Sequence, residues 1–274
     1  MSRRTLRLIG SYTLLGAGTV IVLGPLYLAL VNALLPTGET ASYPPPVVPK
    51  GFDFSSFRDA WDTAPIGRYL VNSLVAATAI AVLQVTTSVL AAYAFAYIQF
   101  PGRTVIFALF LASLMVPWEV SMVPNFQTVQ AFGWIDTYSA LVVPFAATAL
   151  GVFLIRQHLL TIPRELRDAA AMDGYGHLQF LWKVAVPLSR PAIGSLAVFS
   201  FLSSWNQYLW PLLVTNDENH RTIQVGLALL SRQEIDRWDV LMAGTLIALL
   251  PTLVLLLLFQ RQLVKGLTAG ALKG

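Results

Sequence analysis

Apolar residues along this chain gather into six long runs, separated by polar or proline-rich segments. The runs cover, approximately, residues 8–35, 69–98, 104–124, 138–158, 191–214 and 239–263. Each run reaches the length of roughly 20 residues that an α-helix needs to cross a bilayer. Several contain proline or glycine, which membrane helices tolerate and which often bend them. The pattern predicts an all-α integral membrane protein with six transmembrane helices.

The composition agrees with this prediction. The chain is 56% hydrophobic and only 12% charged, whereas soluble domains average about 25% charged residues. It has no cysteine, which excludes a disulfide framework and a thiolate metal site. Arg3, Arg4 and Arg7 before the first apolar run are typical of a signal peptide. The run is too long for one and lacks a cleavage pattern of small residues, so we interpret it as an uncleaved first span.

Lysine and arginine are distributed unevenly between the two sides that six spans define. Twelve of the 18 basic residues fall on the side of the N-terminus, and ten of the 14 acids fall on the other side. Because basic residues accumulate in cytoplasmic segments, both termini and residues 160–191 are predicted to be cytoplasmic. No repeat is evident, so residues 1–274 are predicted to form a single transmembrane domain with its core at about 68–263.

Residues 160–191 form a long polar segment with helical character between two apolar runs. Pro163 suits the first turn of a helix, where the helix dipole also favours the acid Glu165. Gly174 and Gly176 then permit a turn, because glycine adopts positive φ without steric cost. The segment is therefore predicted to contain a helix that ends in a tight turn.

Small residues and a second helix complete this segment. Ala169–Ala171 give the first helix a thin face that allows close approach of another surface. A second short helical run is predicted over Leu178–Val186, ending at Pro187. Two short helices joined by a bend at a membrane face suit a plug that fits a socket on a partner protein.

Asp168-Ala169-Ala170, with Gly174 four residues later and Val186-Pro187 beyond it, resembles the EAA loop of permease subunits of binding-protein-dependent ABC importers. Asp168 stands where the usual motif has Glu, and the remainder is kept. The resemblance implies the type I permease fold, with this loop coupling spans 4 and 5 to an ATPase. It implies four kinds of partner: the bilayer, a homologous second permease, two ATPase subunits and an extracytoplasmic solute-binding protein.

The resemblance extends over nearly the whole chain. Within the family, the chain is most similar to the carbohydrate branch, the maltose-type second permease. The segments that carry this resemblance are Asn72-Ser73, Ala91–Ala96, Phe100–Arg103, Trp205-Asn206, Gln260-Arg261 and Gly266–Gly274. Within that branch, Asn206–Leu212 and Pro117–Val120 are most similar to permeases of sn-glycerol-3-phosphate importers. The resemblance thus implies a multi-pass protein of the cytoplasmic membrane of a prokaryote.

The resemblance also implies which residues of the loop contact the ATPase. The expected set is Glu165, Arg167, Asp168, Ala169, Ala170, Asp173, Gly174 and Pro187. Arg167 and Asp168 are expected to set a charge pair or a helix cap at this contact. Gly174 is expected to combine a turn with a close approach of the partner.

No enzyme chemistry is visible in the sequence. There is no Gly-x-x-x-x-Gly-Lys-[Ser/Thr] phosphate loop, no Gly-x-Ser-x-Gly and no His-Glu-x-x-His. The three histidines, His158, His177 and His220, are widely spaced and lie in or beside loops. We therefore expect no catalytic residue, no metal, no cofactor and no nucleic-acid partner, and we expect ATP hydrolysis to reside on another chain.

Two features are candidates for the translocation pathway. Glu119 is an acid inside the predicted third span, and such acids usually face a bundle interior or water; the alternative is an acid at the outer interface beside Trp118. The second feature comprises Ser204, Trp205, Asn206 and Tyr208, which suit contacts with a polyol or sugar. Packing between spans is the alternative for these residues, and for Trp205 and Asn206 we favour packing or gating.

The positions of lysine and arginine indicate which solutes the predicted spans could bind. No lysine or arginine is evident deep in any predicted span. A phosphate-bearing solute would then need cations from the partner permease or the N-termini of helices. This observation weakens the case for sn-glycerol-3-phosphate without excluding it.

The two long outer loops have distinct patterns. In residues 36–68, Pro44–Pro46 and Pro49 predict an extended stretch, and an amphipathic piece follows that contains Phe52, Phe54, Phe57 and Trp61. In residues 215–238, a turn is predicted at Asn216–Asn219 and a short helix facing a partner at Ile223–Leu230.

Two other classes of protein fit the apolar runs. An ion-coupled secondary transporter usually shows inverted repeats and acids at the membrane midplane, and here no repeat is found and Glu119 is peripheral. A non-transporting membrane scaffold is the other alternative. The sequence favours the permease subunit of an ATP-driven importer for a carbohydrate-type solute, namely a sugar, an oligosaccharide or sn-glycerol-3-phosphate.

Overall fold

A computed structural model describes residues 3–36, 46–48, 51–233 and 237–271 of the chain. Within these ranges the regular structure is helical and no β-strand is present, as the apolar runs predict. The predicted extended stretch at Pro44–Pro46 and Pro49 lies outside the described residues, apart from Pro46 itself.

Three long helices correspond to three of the predicted spans. They are α1 (Arg3–Ala33), α3 (Ile66–Tyr97) and α14 (Trp238–Ala271), and a short helix, α2 (Ser55–Thr63), precedes α3. By length and composition, the parts able to cross a membrane are Gly10–Ala33, Ile66–Tyr97 and Trp238–Gln260. These runs are long because no proline stops them outright; Pro25 and Pro251 are accommodated within α1 and α14.

The other apolar runs fold as bent pairs of helices. The first pair is α4 (Arg103–Ser113) and α5 (Trp118–Ala131), which meet at 97°. The second is α6 (Tyr138–Val142), extended by a 3₁₀ turn at Val143–Phe145, and α7 (Ala149–Leu159), at 45°. The third joins the segment His177–Leu188 to α11 (Arg190–Trp205) at 78°. The described residues therefore contain six spans only if each bent pair counts as one.

Three predicted runs are broken where the sequence suggested a continuous helix: 138–158, between Phe145 and Ala149, and the runs 104–124 and 191–214. The run 104–124 is interrupted after Ser113, and its second helix starts only behind Pro117. The run 191–214 is interrupted after Trp205 and resumes as α12 (Leu209–Val214). The cause is the same in these last two runs, because proline has no N–H to continue a helix and is tolerated in its first turn. Pro211 accordingly lies in the first turn of α12.

The chain divides into two compact units. One comprises residues 1–67 and 226–250, and the other comprises residues 68–225 and 251–274. Each unit is made of two stretches that are separated in the sequence. The single transmembrane domain expected over residues 1–274 stays a prediction.

In the first unit, α2 is held by a buried ion pair. The Asp239 side chain is fully buried and accepts hydrogen bonds from Ser56 Oγ (2.8 Å) and Arg237 Nη2 (2.8 Å). Arg237 Nη2 also donates to Asp59 Oδ2 at 2.7 Å. These bonds to Asp239 and Asp59 raise the pKa of the Arg237 guanidinium. The predicted amphipathic piece thus forms a helix, fixed by its polar face.

In the second unit, two apolar cores form. One contains Phe95, Ile155 and Phe180, and the other contains Ile80, Leu141 and Trp210. This unit also contains α8 (Arg164–Met172) and the first residues of α13, a helix that spans Ile223–Gln233. The predicted short helix at Ile223–Leu230 is thereby confirmed.

Candidate functional site

The polar segment 160–191 begins as the sequence predicts. Pro163 precedes α8, and Glu165 lies in the first turn of that helix. Gly174 has φ of +78°, and the N–H of Tyr175 donates to the carbonyl of Ala170 at 2.8 Å. The chain reverses here because glycine reaches this left-handed conformation without a clash between Cβ and the backbone.

The second helical run extends further than predicted. It consists of α9 (His177–Phe180), a π turn at Leu181–Ala185 and α10 (Val186–Leu188), so it passes through Pro187 and ends at Ser189. Proline would clash with a carbonyl four residues earlier in a regular α-helix. The wider π turn directly before Pro187 gives that ring room.

Ala170 does not form part of an exposed face. Its exposed fraction is 7%, and it belongs to a core with Phe180, against which Tyr97 and Tyr175 pack. Ala169 on the same helix is exposed. The expectation that Ala170 contacts a partner stays a prediction; within this chain the Ala170 methyl group is buried in that core.

Aromatic side chains connect the segment to the ends of two spans. The Phe180 ring contacts the Tyr97 ring edge-to-face at 5.5 Å. Tyr97 Oη donates to the carbonyl of Leu159, the last residue of α7, at 2.8 Å. Tyr93 Oη and His177 Nδ1 are 3.0 Å apart. A displacement of α9 therefore bears directly on the ends of α3 and α7.

The remaining surface of this segment is open. Met172, Leu178 and Trp182 are 85%, 70% and 54% exposed, respectively. The charged members of the expected contact set, namely Glu165, Arg167, Asp168 and Asp173, are exposed as well, and Pro187 is half-buried. Large apolar side chains at such exposure form a surface suited to a partner.

Glu119 lies at the start of α5 rather than inside a continuous span. It is exposed and lies in the first turn, where the helix dipole favours an acid. In the described part of the chain, no hydrogen bond or ion pair joins Glu119 to Ser204, Trp205, Asn206 or Tyr208. The structure thus does not bring the two candidate pathway features into one polar cluster.

The residues at the end of α11 have mixed roles. Trp205 is 2% exposed and stacks on Phe201, with ring centroids 5.7 Å apart. The Asn206 amide is exposed and donates to the carbonyl of Leu202 at 2.8 Å. Ser204 and Tyr208 are half-buried. Trp205 therefore packs within the chain, which agrees with the packing interpretation that the sequence favoured.

Trp210 is a buried anchor that the sequence analysis missed. Its Nε1 donates to the carbonyl of Ala140 at 2.9 Å. Its ring meets Trp118 edge-to-face at 5.8 Å and Phe145 at 6.1 Å. A Trp beside Pro211 in an apolar run has the sequence signature of an interfacial aromatic residue, so nothing in the run marked it as buried.

The Asn72 side chain binds the backbone of the loop that precedes α13. Asn72 Nδ2 donates to the carbonyls of Asn219 (2.8 Å) and Arg221 (2.9 Å). Tyr138 Oη donates to Asn72 Oδ1 at 2.6 Å, and the N–H of Ile223 donates to Ser73 Oγ at 2.8 Å. The dipeptide Asn72-Ser73, which resemblance alone had singled out, thus fixes this loop.

Asp136 clamps the other end of the same loop. Its Oδ1 accepts the N–H groups of Asn216 (2.5 Å) and Asp217 (2.8 Å). Asp136 has φ of +60°, which is uncommon for a residue with a side chain. The structure places the turn one residue later than the predicted Asn216–Asn219, because the N–H of His220 donates to the carbonyl of Asp217 at 3.3 Å. Asp136 supports the residues where this turn begins.

The fold defines the class of protein: a helical membrane protein with bent spans and a polar segment, residues 160–191, that carries an open apolar face. The chain is similar in fold to the crystal structure of a bacterial ABC transporter involved in the import of the acidic polysaccharide alginate. The TM-score is 0.84 at 22% identity, covering 95% of this chain and 98% of that one. A second alginate transporter structure, in complex with an alginate pentasaccharide-bound periplasmic protein, matches with a TM-score of 0.67 at 15% identity, covering 93% of both chains.

Sequence comparison then gives the family. Residues 84–269 match the family model described as the inner membrane component of binding-protein-dependent transport systems. The chain belongs to this family. It is 37% identical over 265 residues to the sn-glycerol-3-phosphate transport system permease protein UgpE of Pectobacterium atrosepticum, covering 94% of both chains. The UgpE protein of Escherichia coli O1:K1 / APEC is 34% identical over the same coverage. The expected family and fold class are thereby confirmed.

Proposed function

We propose that this chain is the permease subunit that carries sn-glycerol-3-phosphate, or a related carbohydrate-type solute, across the cytoplasmic membrane. Relatives 34–37% identical over 94% of their length, which are named for sn-glycerol-3-phosphate transport, support this assignment. The proposed complex adds a homologous permease, two ATPase subunits and an extracytoplasmic binding protein. Hydrolysis belongs to the ATPase chains, because this sequence has no phosphate loop.

The observation that carries the proposal is the construction of residues 160–191. The segment has a packed interior around Ala170 and Phe180, yet it leaves Met172, Leu178 and Trp182 open. We propose that this open face docks on the ATPase from the cytoplasmic side, as the distribution of basic residues predicts.

The same construction suggests how coupling works. When the ATPase dimer closes on ATP, it displaces α8 and α9. The contacts from Phe180 through Tyr97 to Leu159 pass this displacement to the ends of α3 and α7. Packed elements with discrete arrangements turn such shifts into rearrangement of the spans, and hydrolysis then resets the permease.

Gly174→Leu tests the docking face, and Gly133→Leu is its matched control. Both glycines have positive φ, and an added Cβ at either meets no described atom within 4 Å. Each change therefore costs about 1–2 kcal/mol of backbone strain. Only Gly174→Leu is expected to lower binding-protein-stimulated ATP hydrolysis in vesicles, by about tenfold for each 1.4 kcal/mol of docking free energy lost.

Co-purification of the ATPase subunit and thermal unfolding are measured alongside. Equal hydrolysis and equal retention of the ATPase in both variants would show that residues 160–191 are not the coupling element. Uptake that survives loss of ATP but collapses with the ion gradient supports a secondary transporter, and absence of any uptake supports a scaffold. Binding of sn-glycerol-3-phosphate, glycerol and maltose to the cognate extracytoplasmic protein identifies the solute.

For the translocation pathway we propose Glu119 and, as separate candidates, Ser204, Asn206 and Tyr208, with Trp205 acting by packing. Glu119 is exposed at the bend between α4 and α5 and has no partner among the described residues. Glu119→Gln should change the KM of uptake by about fivefold, which corresponds to about 1 kcal/mol of solute binding. The control is Glu218→Gln, which affects only an exposed ion pair. Unchanged kinetics in Glu119→Gln would assign Glu119 to the membrane interface.

A further inference from the structure

A cavity of about 460 Å³ lies where α3 ends, α4 begins, α7 ends and α8 begins. All of its lining residues belong to the second unit. Its polar lining includes four arginines, Arg103, Arg156, Arg164 and Arg167, and a single acid, Asp168. Arg167 and Asp168 also belong to the expected ATPase contact set, but the transport function proposed above assigns no ligand to the cavity itself.

The four guanidinium groups share the cavity with a single carboxylate, that of Asp168. In the described part of the chain, none of them forms an ion pair with a carboxylate. Arg103 and Arg156 each donate to one backbone carbonyl, at 3.2 and 3.3 Å, and Arg156 lies over the Phe107 ring at 4.2 Å. Like charges that share a cavity repel one another unless an anion lies between them. The cavity is therefore suited to an anion.

Guanidinium chemistry narrows the class of anion. The planar fork of arginine binds phosphate in a bidentate manner, and several such forks around one cavity favour a phosphate group over a simple halide. Tyr97, whose ring is 5.5 Å from the Arg167 guanidinium, holds that side chain at the wall of the cavity. The cavity volume exceeds that of a single phosphate and leaves room for attached glycerol groups.

The surroundings point to a lipid as the source of the phosphate. The cavity lies at the ends of apolar helices, where the headgroups of a bilayer are found. Leu160, which lines the cavity, is 50% exposed, and Val105 and Leu109 on α4, the helix that begins at Arg103, are 63% and 65% exposed. Acyl chains of a lipid held by its headgroup would cover such apolar side chains.

We propose that this cavity binds the phosphodiester headgroup of an anionic phospholipid. Arg103 and Arg156 belong to the span ends, whereas Arg164 and Arg167 belong to α8. The bound headgroup would therefore link α8 to the ends of the spans and fix the position of α8 relative to them. Binding itself depends neither on transport nor on which side of the membrane the segment faces.

The test is native mass spectrometry of the full chain, purified in detergent together with the subunits that accompany it and titrated with phosphatidylglycerol or phosphatidylcholine. We expect phosphatidylglycerol to bind about tenfold more tightly, as charge-assisted hydrogen bonds to a phosphodiester with no compensating cation imply. The double variant Arg103→Gln/Arg164→Gln should lose this preference. Arg190→Gln removes an exposed charge on the same side of the chain but outside the cavity, and it should keep the preference.

Three results would overturn the proposal. A preference for phosphatidylglycerol that persists in the double variant places lipid binding elsewhere. Competition by millimolar inorganic phosphate or glycerol-3-phosphate at the same site makes it a site for soluble phosphates. If lipid preference is absent and the double variant instead loses the ATPase subunit, carboxylates of a protein partner occupy the cavity. Arg164→Gln alone, at an exposed position, preserves the test if the double variant fails to fold.

Discussion

Two loops of the second unit treat their polar groups in opposite ways. In residues 215–223, much of the backbone is bound by the chain itself, through Asn72, Ser73 and Asp136, although His220 Nδ1 and Thr222 Oγ1 are buried without a hydrogen-bond partner among the described residues. In residues 160–191, the interior is packed, but Met172, Leu178 and Trp182 are exposed. The backbone of the first loop is thus held within the chain, whereas we propose that the exposed face of the second is covered by other molecules.

The arginines make this contrast concrete. Arg221 donates to the carbonyl of Asn216 at 2.7 Å and lies 3.8 Å from Glu218, and Arg68 donates to the Asn219 side chain. The arginines of the cavity have no such acidic partner among the described residues. Removing a group that is bonded within the chain lowers the stability of the fold, whereas removing an exposed group weakens the binding of a partner. Mutations at residues 215–223 should therefore lower the free energy of unfolding, and mutations of exposed groups in residues 160–191 should weaken binding.

The largest loss of stability is expected for Asn72→Leu. The change leaves the carbonyls of Asn219 and Arg221 and the hydroxyl of Tyr138 without their partner. Each buried polar group left unsatisfied costs about 1–3 kcal/mol, so the loss of the three bonds should lower the free energy of unfolding in detergent by about 3 kcal/mol or more. Asn206→Ala, which removes only a bond to its own helix, is the control, and equal losses in both would contradict the role of Asn72.

A smaller loss is expected for Ala170→Trp, with Ala169→Trp as its matched neighbour. Overpacking a core costs about 1–3 kcal/mol, and only Ala170 is in the core. Ala169→Trp should keep the melting temperature and instead release the ATPase subunit during purification. If Ala170→Trp is as stable as Ala169→Trp, the packed interior of residues 160–191 is not as the structure describes.

The smallest loss is expected for Asp136. Asp136→Ala removes the acceptor for two backbone N–H groups, which costs about 1–2 kcal/mol. Asp136→Asn keeps an acceptor oxygen and tolerates positive φ, so it should stay within about 0.5 kcal/mol of the parent. Protection of the 215–223 amides against hydrogen exchange is the direct measurement. Identical protection in both variants would show that the carboxylate does not clamp the loop.

The sequence predicted the helices well where apolar runs are uninterrupted. The runs 8–35, 69–98 and 239–263 correspond to α1, α3 and α14 because chain-internal hydrogen bonding is the only way to satisfy the backbone in lipid. The breaks at Pro117 and Pro211 were not predicted. A proline shows that a helix can bend there, but tertiary packing decides whether it bends or stops.

The sites were predicted less completely, for a physical reason. Ala169, Ala170 and Ala171 are identical in composition, and the phase of α8 against Tyr97 and Phe180 decides which methyl group is buried. Arg103 and Arg167 are far apart in the sequence. Counting basic residues could therefore assign both to the same side of the membrane, but it could not show that both line one cavity. The turn at Gly174 was predicted because its cause is local.

The hold that Asn72 and Ser73 exert on the 219–223 loop has a consequence for how such a protein diversifies. They grip carbonyl oxygens and one amide N–H, which every residue except proline offers in the same form. The bonds from Asn72 and Ser73 thus do not depend on which side chains the residues 219, 221 and 223 carry. Those side chains are free to be exchanged, one by one, for a new docking partner while the scaffold beneath them keeps its form.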